Sequence, residues 1–312
     1  MDGVLMHGAA HEAPPALTES YKLHRRFDRM ARLTGDDGMA ALMDAFVIVF
    51  GLGGVGSFTA ESLVRSGVGR LRIVDFDDVC VTNTNRQLHA LKGNIGKPKA
   101  TLVAERLRLI NPKAQIEAVK QFYQAEVSDA LLAPDADGRA PDYVVDAIDQ
   151  FTAKCHLIAT CRARRIPLVS SMGAAGRWDP TRVRVVDLNK TEGCKMALNV
   201  RKILREKHAF PRGRAAWGIP AIVSDEPVQP PHELAYEAGT GFRCVCPQGQ
   251  NGLLTCDRRA RIDGSASFVT GTFGLVCASV VVRDIVARAA AHDTRTTPAT
   301  APQATPAEAP HG

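Results

Sequence analysis

AFVIVFGLGGVGSFTAESLVRSG, residues 45–67, decides the fold. Residues 45–50 are apolar without a break, the pattern of a strand buried on both faces. Gly51, Gly53, Gly54 and Gly56 follow in G-x-G-x-x-G spacing, and the chain then takes on helical periodicity. Glycines in that position permit a tight strand-to-helix turn and let backbone N–H groups approach phosphate at a helix N-terminus. RLRIVDFD (70–77) returns as a second strand, and Asp75 at its end can accept from ribose hydroxyls. The motif specifies an adenosine nucleotide without choosing between NAD and ATP.

Working outward, Pro98 to Ile110 reads as a helix closed by Asn111-Pro112, and QIEAVKQF (115–122) as a strand. DYVVDAID (142–149) is the next strand, separated from it by a helix and the polar tip PDADGRA. Residues 151–165 form a helix and IPLVSS (166–171) another strand. This β-α-β alternation predicts an α/β fold with a doubly wound, Rossmann-like, mostly parallel sheet. Beyond residue 172 the pattern weakens into an irregular C-terminal extension. TRVRVVDL (181–188) alternates as a half-exposed strand, followed by a helix, a long loop and a C-terminal helix.

The 312 residues are 45% hydrophobic, enough for a full core. A formal charge of +6, from 39 basic against 33 acidic residues, permits a polyanionic partner without requiring one. The first 20 residues lack a basic, apolar leader pattern, and eight scattered cysteines suit a reducing cytoplasm. The run 266–282 carries two glycines and several hydroxyls and stops at Arg283-Asp284, so it reads as a buried core helix that a hydropathy scan could mistake for a membrane span. Residues 1–22 and the Pro/Ala/Thr-rich tail 291–312 read as disordered, leaving one domain over 23–290, with a nucleotide-binding core at about 40–172 and a C-terminal part at about 173–290.

The stretch after the second strand separates NAD from ATP. Arg86 and Lys99 bring cations to the nucleotide, where hydride transfer would want an apolar pocket. Cleavage between phosphates instead needs cations to neutralise a departing pyrophosphate. Asp149, past the fourth strand, is placed to hold Mg²⁺ over those phosphates. Asp77 and Asp78 read equally as ligands or as solvated strand-end acids, and Lys97 as a surface charge.

Gly51 to Gly56, the run Asp75-x-Asp77-x-Val79-x-x-x-Asn83-x-x-Arg86-Gln87, Gly96-x-Pro98-Lys99 and Asp146-x-x-Asp149 together resemble the ThiF/MoeB/HesA adenylyltransferases, relatives of ubiquitin-activating enzymes. The resemblance implies that Asp75 binds the ATP ribose, that Asn83, Arg86 and Lys99 contact the triphosphate, and that Asp149 serves the metal. Arg26-Phe-Asp-Arg29 is similar to the family's R-[YF]-x-R, which makes Arg29 a candidate finger into a partner subunit and implies a homodimer; an ordinary charged helix face fits the same residues. Gln150 departs from the family's usual Asn or Ser.

Family members that activate sulfur carriers pair two CxxC motifs around zinc. This sequence has none; Cys244, Cys246 and Cys256 make a poor ligand set, and no zinc is expected. The stretches 31–35, 77–91, 167–188 and 264–276 are similar to the zinc-free branch of tRNA threonylcarbamoyladenosine dehydratases. That resemblance covers roughly 24–285, thins between 193 and 263, and implies ATP-dependent cyclisation of N6-threonylcarbamoyladenosine (t6A) in tRNA, with sulfur-relay partners of the cysteine desulfurase type possible. Cys194, Cys246 or Cys256 could accept sulfur or an acyl group, while Cys80 and Cys277 read as core. From the residues themselves, the 195–207 helix should bury Met196, Val200, Ile203 and Leu204 and turn Arg201, Lys202, Arg205 and Lys207 toward tRNA phosphates or plain solvent. Arg258, Arg259 and Arg261 form a smaller basic cluster. The main competing function is adenylylation of the C-terminal Gly-Gly of a ubiquitin-like sulfur carrier; an NAD oxidoreductase and a non-catalytic nucleotide-binding module fit less well.

Overall fold

A computed structural model describes residues 19–235 and 262–296. Strand β1 (Phe46–Phe50) is followed by helix α2 (Gly56–Arg65), β2 (Arg70–Val74), α3 (Lys99–Ile110) and β3 (Gln115–Val119). Next come α4 (Ser128–Leu131), β4 (Tyr143–Asp146), α5 (Phe151–Arg164) and β5 (Leu168–Ser171), then β6 (Val183–Asp187), α6 (Lys195–Lys207) and β7 (Pro220–Ser224). Helix α1 (Glu19–Asp44), broken at the left-handed Gly35, precedes them, and α7 (Ser267–Thr296) closes the chain. The seven strands run in the order 3-2-1-4-5-7-6, all parallel except β6, which pairs antiparallel with β7.

β1 lies at the centre and explains its unbroken apolar sequence. Val47 and Val49 face a core shared with Leu42 of α1, Leu63 of α2, Leu107 of α3 and Phe273 of α7. Phe46, Ile48 and Phe50 face the opposite core, with Ile158 of α5 and Val200 and Leu204 of α6. Alternate side chains therefore serve two helical layers.

The sheet departs from expectation in two places. PAIVS (220–224) forms β7 and inserts between β5 and β6, inside what reads as loop. Between β3 and β4 the helix shrinks to the single turn of α4, because the polar tip is drawn back onto the sheet edge: Arg70 pairs with Asp135 and Asp137. At the ends, helix begins at Glu19 and continues to Thr296, so the segments expected to be disordered overlap α1 and α7; residues 1–18 and 297–312 lie outside the described residues.

α7 is long and apolar enough to cross a membrane, yet 61% of that window is buried. Val269, Phe273, Cys277 and Val281 pack into the core, and Thr59 of α2 donates to the Gly274 carbonyl. A Cβ on Gly274 would lie 2.4 Å from the Val55 carbonyl oxygen, so glycine is what lets α7 meet the start of α2. α7 is thus a core helix of this fold.

Candidate functional site

The carboxyl ends of β1, β2 and β4 converge on one crevice, the usual ligand position in a doubly wound sheet. The glycine turn forms its floor. Gly51 adopts φ +85° under the Ala147 carbonyl, and a Cβ on Gly56 would lie 1.7 Å from the Gly51 oxygen. No side chain fits at either position. The N-terminus of α2 is thereby presented bare to an anion.

Asp75 ties this turn to β2. Its Oδ2 accepts from the Leu52 N–H at 2.6 Å and its Oδ1 from the Asp77 N–H at 2.8 Å. Burial holds the carboxyl above the usual range; Lys99 opposes this and the charge of Asp77 adds to it. Lys99, the first residue of α3, is itself buried and donates to Asp77 Oδ2 at 2.8 Å. Burial would lower its ammonium, but Asp75 and Asp77, with Asp149 beyond them, hold it above its ordinary value. Of the two ambiguous acids, Asp77 thus pairs with the buried Lys99, while Asp78 pairs with the more exposed Lys120. Asp149 is exposed at the crevice edge.

The residues after β2 wrap over the turn. Arg86 Cγ would lie 3.2 Å from a Cβ on Gly54, and its guanidinium donates to the Thr82 carbonyl at 2.9 Å and Asn85 Oδ1 at 3.0 Å. Asn85 in turn donates to the Ser265 carbonyl at 2.8 Å, just before α7. Asn83 is buried, and its Oδ1 accepts from the Cys80 N–H at 3.1 Å, closing a single helical turn. Cys80 is therefore half-exposed at the start of that turn rather than in the core, whereas Cys277 is buried as expected.

Beneath the crevice lies a cluster the sequence reading passed over. Lys154 of α5 and Asp146 of β4, both without exposure, pair at 2.6 Å. Lys154 also donates to the Ser171 carbonyl, and Ser170 Oγ donates to Asp146 at 2.5 Å. Asp146 Oδ1 accepts from the Ile148 N–H, which fixes the turn carrying Asp149. A lysine on the apolar face of the 151–165 helix was the available clue. Gln87 and His89 are also buried, and Gln87 Nε2 lies 3.6 Å from where a Cβ on Gly53 would sit.

Arg29 stands apart. It is exposed on α1, one turn beyond Arg26, whose guanidinium donates to the Ile110 carbonyl at 2.8 Å. Ile110 ends the helix that Lys99 begins, about 16–17 Å away along its axis at 1.5 Å per residue. The basic helix also differs from expectation. Met196, Val200, Ile203 and Leu204 do face inward, but Arg201 bonds the Thr191 carbonyl at 2.7 Å and Arg205 bonds Asn189 Oδ1 at 2.6 Å and lies over the Trp217 ring. Loop carbonyls and Trp217 draw these two guanidiniums back, leaving Lys202 and Lys207 outward. Cys194 is buried; Cys244, Cys246, Cys256 and the Arg258, Arg259 and Arg261 cluster lie outside the described residues.

The sequence pattern of the ThiF family matches residues 27–306, nearly the whole described chain. The chain belongs to the ThiF family. Within it, the chain is 38% identical to a tRNA threonylcarbamoyladenosine dehydratase of Escherichia coli (strain K12), over 85% of this chain and 95% of the relative. It is 39% identical to one of Bacillus subtilis (strain 168), over 85% and 95%. Its fold is similar to the crystal structure of the E. coli dehydratase in complex with ATP, with a TM-score of 0.72, 34% identity, and coverage of 88% of this chain and 99% of that one. The glycine turn, Arg86, Lys99 and Asp149 all lie within the stretch that matches the ThiF family.

Proposed function

We propose that this chain is an ATP-dependent tRNA threonylcarbamoyladenosine dehydratase. The observation that carries the reading is the convergence of Arg86 and Lys99 on the glycine cradle, in a chain similar to dehydratases along nearly their full length. Sulfur-carrier activation is the weaker reading, because the paired CxxC motifs of those activators are absent from the sequence.

In this account Asp75 receives the ribose, and the backbone of residues 51–56 cradles the phosphates. The threonyl carboxylate of t6A attacks the α-phosphorus of ATP, an acyl–O–P bond forms and pyrophosphate leaves. Arg86 and Lys99 neutralise the charge that gathers on it. The neighbouring carbamoyl group then closes onto the activated carbonyl and AMP departs with one carboxylate oxygen, for a net loss of water. Closure is intramolecular, so proximity supplies much of its acceleration and no protein nucleophile is required.

Mg²⁺ fits this site as an ion borne by the phosphates. Among the described residues no group of three or more His, Cys, Asp or Glu surrounds a metal position. Asp149 offers one exposed carboxylate, and Mg²⁺ is commonly bound by one or two carboxylates plus substrate phosphates. When bound it would help neutralise the triphosphate.

The reading includes a homodimer in the cytoplasm, with Arg29 serving the partner's crevice. Arg29 follows Arg26, which bonds the Ile110 end of α3 rather than its Lys99 end, and beside it a groove of about 560 Å³ is lined by Met30, Leu33, Leu275 and Val282, with Leu33 83% exposed. Outward Lys202 and Lys207 contact tRNA phosphates, and sulfur-relay proteins of the cysteine desulfurase type are the expected protein partners. The test is to incubate the protein with Mg-ATP and t6A-containing tRNA and analyse nucleosides by mass spectrometry. Wild type should form the dehydrated nucleoside and Arg86→Ala should not; adenylylation of a Gly-Gly carrier with tRNA unchanged would favour the other reading.

A further inference from the structure

Trp178, in the loop after β5, and Phe268, in the first turn of α7, stack on each other in the open. Their ring centroids lie 5.9 Å apart and their planes within 26° of parallel, yet Trp178 stays 67% exposed and Phe268 48%. The Trp178 loop is held rigidly. The buried Glu226 carboxylate accepts from the Trp178 N–H at 3.0 Å and the Asp179 N–H at 2.9 Å. Gly176, at φ +69°, donates to the Gly264 carbonyl at 2.8 Å, and a Cβ there would lie 2.7 Å from Val228. Phe268 stands two residues before Thr270, whose Oγ1 lies 3.0 Å from where a Cβ on Gly54 would sit. Asn85 joins Ser265, at the foot of α7, to Arg86. The stack therefore borders the nucleotide turn without entering it.

We infer that this stack is a base-binding platform: an unpaired nucleobase of the RNA substrate lies on Trp178, with Phe268 backing it. The inference rests on the dehydratase reading. In t6A a short carbamoyl-threonyl linker joins the reacting carboxylate to the base. A carboxylate inside the crevice therefore leaves its own base, and the bases beside it, at the rim. A flat π surface there engages a base of any identity, as the crevice cations engage phosphate. Sequential bases in a stem cover one another, so the platform favours unpaired RNA. The Glu226 clamp fixes the loop before binding, which reduces the cost of ordering it. The nearby acids are already compensated: Glu226 holds backbone N–H groups, and Asp225 pairs with Arg182 and Arg184.

The chain has two tryptophans and Trp217 is buried, so fluorescence can follow Trp178. Full-length wild type, Trp178→Ala, Trp178→Leu and Trp178→Phe are titrated with t6A-containing tRNA, with a fully paired RNA duplex and with ATP. Thermal melting and sedimentation check folding and oligomeric state. Stacking predicts that tRNA quenches the emission, and that the quenching is lost in Trp178→Phe, which keeps Trp217. Trp178→Ala should lose about 5- to 150-fold in tRNA affinity, with affinities for ATP and for the duplex changed less than about twofold. Trp178→Phe should keep most of the tRNA affinity and Trp178→Leu should not, since Leu offers contact area without a π face. Full tRNA affinity in Trp178→Ala, or Leu equal to Phe, would overturn the assignment. So would a loss that accompanies dissociation of the oligomer, which would give this face to a second copy of the chain. Wild type whose Trp178 is quenched by t6A tRNA but that leaves it undehydrated with Mg-ATP would overturn the dehydratase reading while leaving the platform in place.

Discussion

Replacing Lys154 with Met tests whether the floor of the crevice depends on a compensated buried charge. Lys154 is fully enclosed, and its ammonium bonds Asp146 Oδ2 at 2.6 Å and the Ser171 carbonyl at 2.8 Å. Met fills most of the same volume, so little packing is lost. What goes is one charge-assisted hydrogen bond, worth about 1.5–3 kcal/mol, and one bond to a buried carbonyl, worth about 1 kcal/mol. Asp146 keeps only the Ser170 hydroxyl and the Ile148 N–H. The sum of about 2.5–4 kcal/mol overlaps the general cost of breaking a buried pair from one side, about 3–5 kcal/mol. Guanidinium denaturation at pH 7, followed by circular dichroism, reads the change. Lys154→Met combined with Asp146→Leu should lose less than Lys154→Met alone, because no unpaired carboxylate remains. A single-variant loss below about 1 kcal/mol, or strictly additive losses, would refute the reasoning.

Three further outcomes follow from the geometry. His89 is held near 4 in the folded protein against 6.5 for the free group, so between those values the folded state binds fewer protons than the unfolded one and stability falls as pH falls. That component is about 3 kcal/mol, present above pH 6.5 and lost toward pH 4, and denaturation midpoints at pH 7 and 4.5 should therefore differ less for His89→Phe than for wild type. Lys202→Ala should weaken tRNA binding and flatten its salt dependence with no loss of stability, whereas Arg201→Ala should cost about 1–2 kcal/mol through the Thr191 carbonyl; filter binding and denaturation separate the two. If Arg29 serves the partner's crevice, inactive Arg29→Ala and inactive Arg86→Ala should regain activity when mixed and allowed to exchange subunits, since the mixed dimer holds one complete site.

The parts of the molecule legible in the sequence are those whose order is local. The 45–56 run declares a strand and its turn by composition, and Asp75, Arg86 and Lys99 follow at distances along the chain that the parallel sheet converts into one crevice. β7 was not legible, because five residues acquire strand structure only by pairing with β5 and β6, and β6 lies far earlier in the chain. Arg201 and Arg205 illustrate the same limit from the other side. Helical spacing shows that they lie off the apolar stripe, but the carbonyl of Thr191, Asn189 and Trp217, which claim them, belong to segments that only the tertiary fold brings near. Gln87 says nothing until the turn at Gly53 is seen beside it.

The central claim is that this crevice spends ATP to activate a carboxylate on tRNA. It is tested most directly by labelling both threonyl carboxylate oxygens of t6A tRNA with heavy oxygen and analysing nucleotides and nucleosides after one turnover. The account predicts a dehydrated nucleoside that keeps one labelled oxygen, with the other carried off on AMP. Dehydration with AMP unlabelled, or without consumption of ATP, would contradict it.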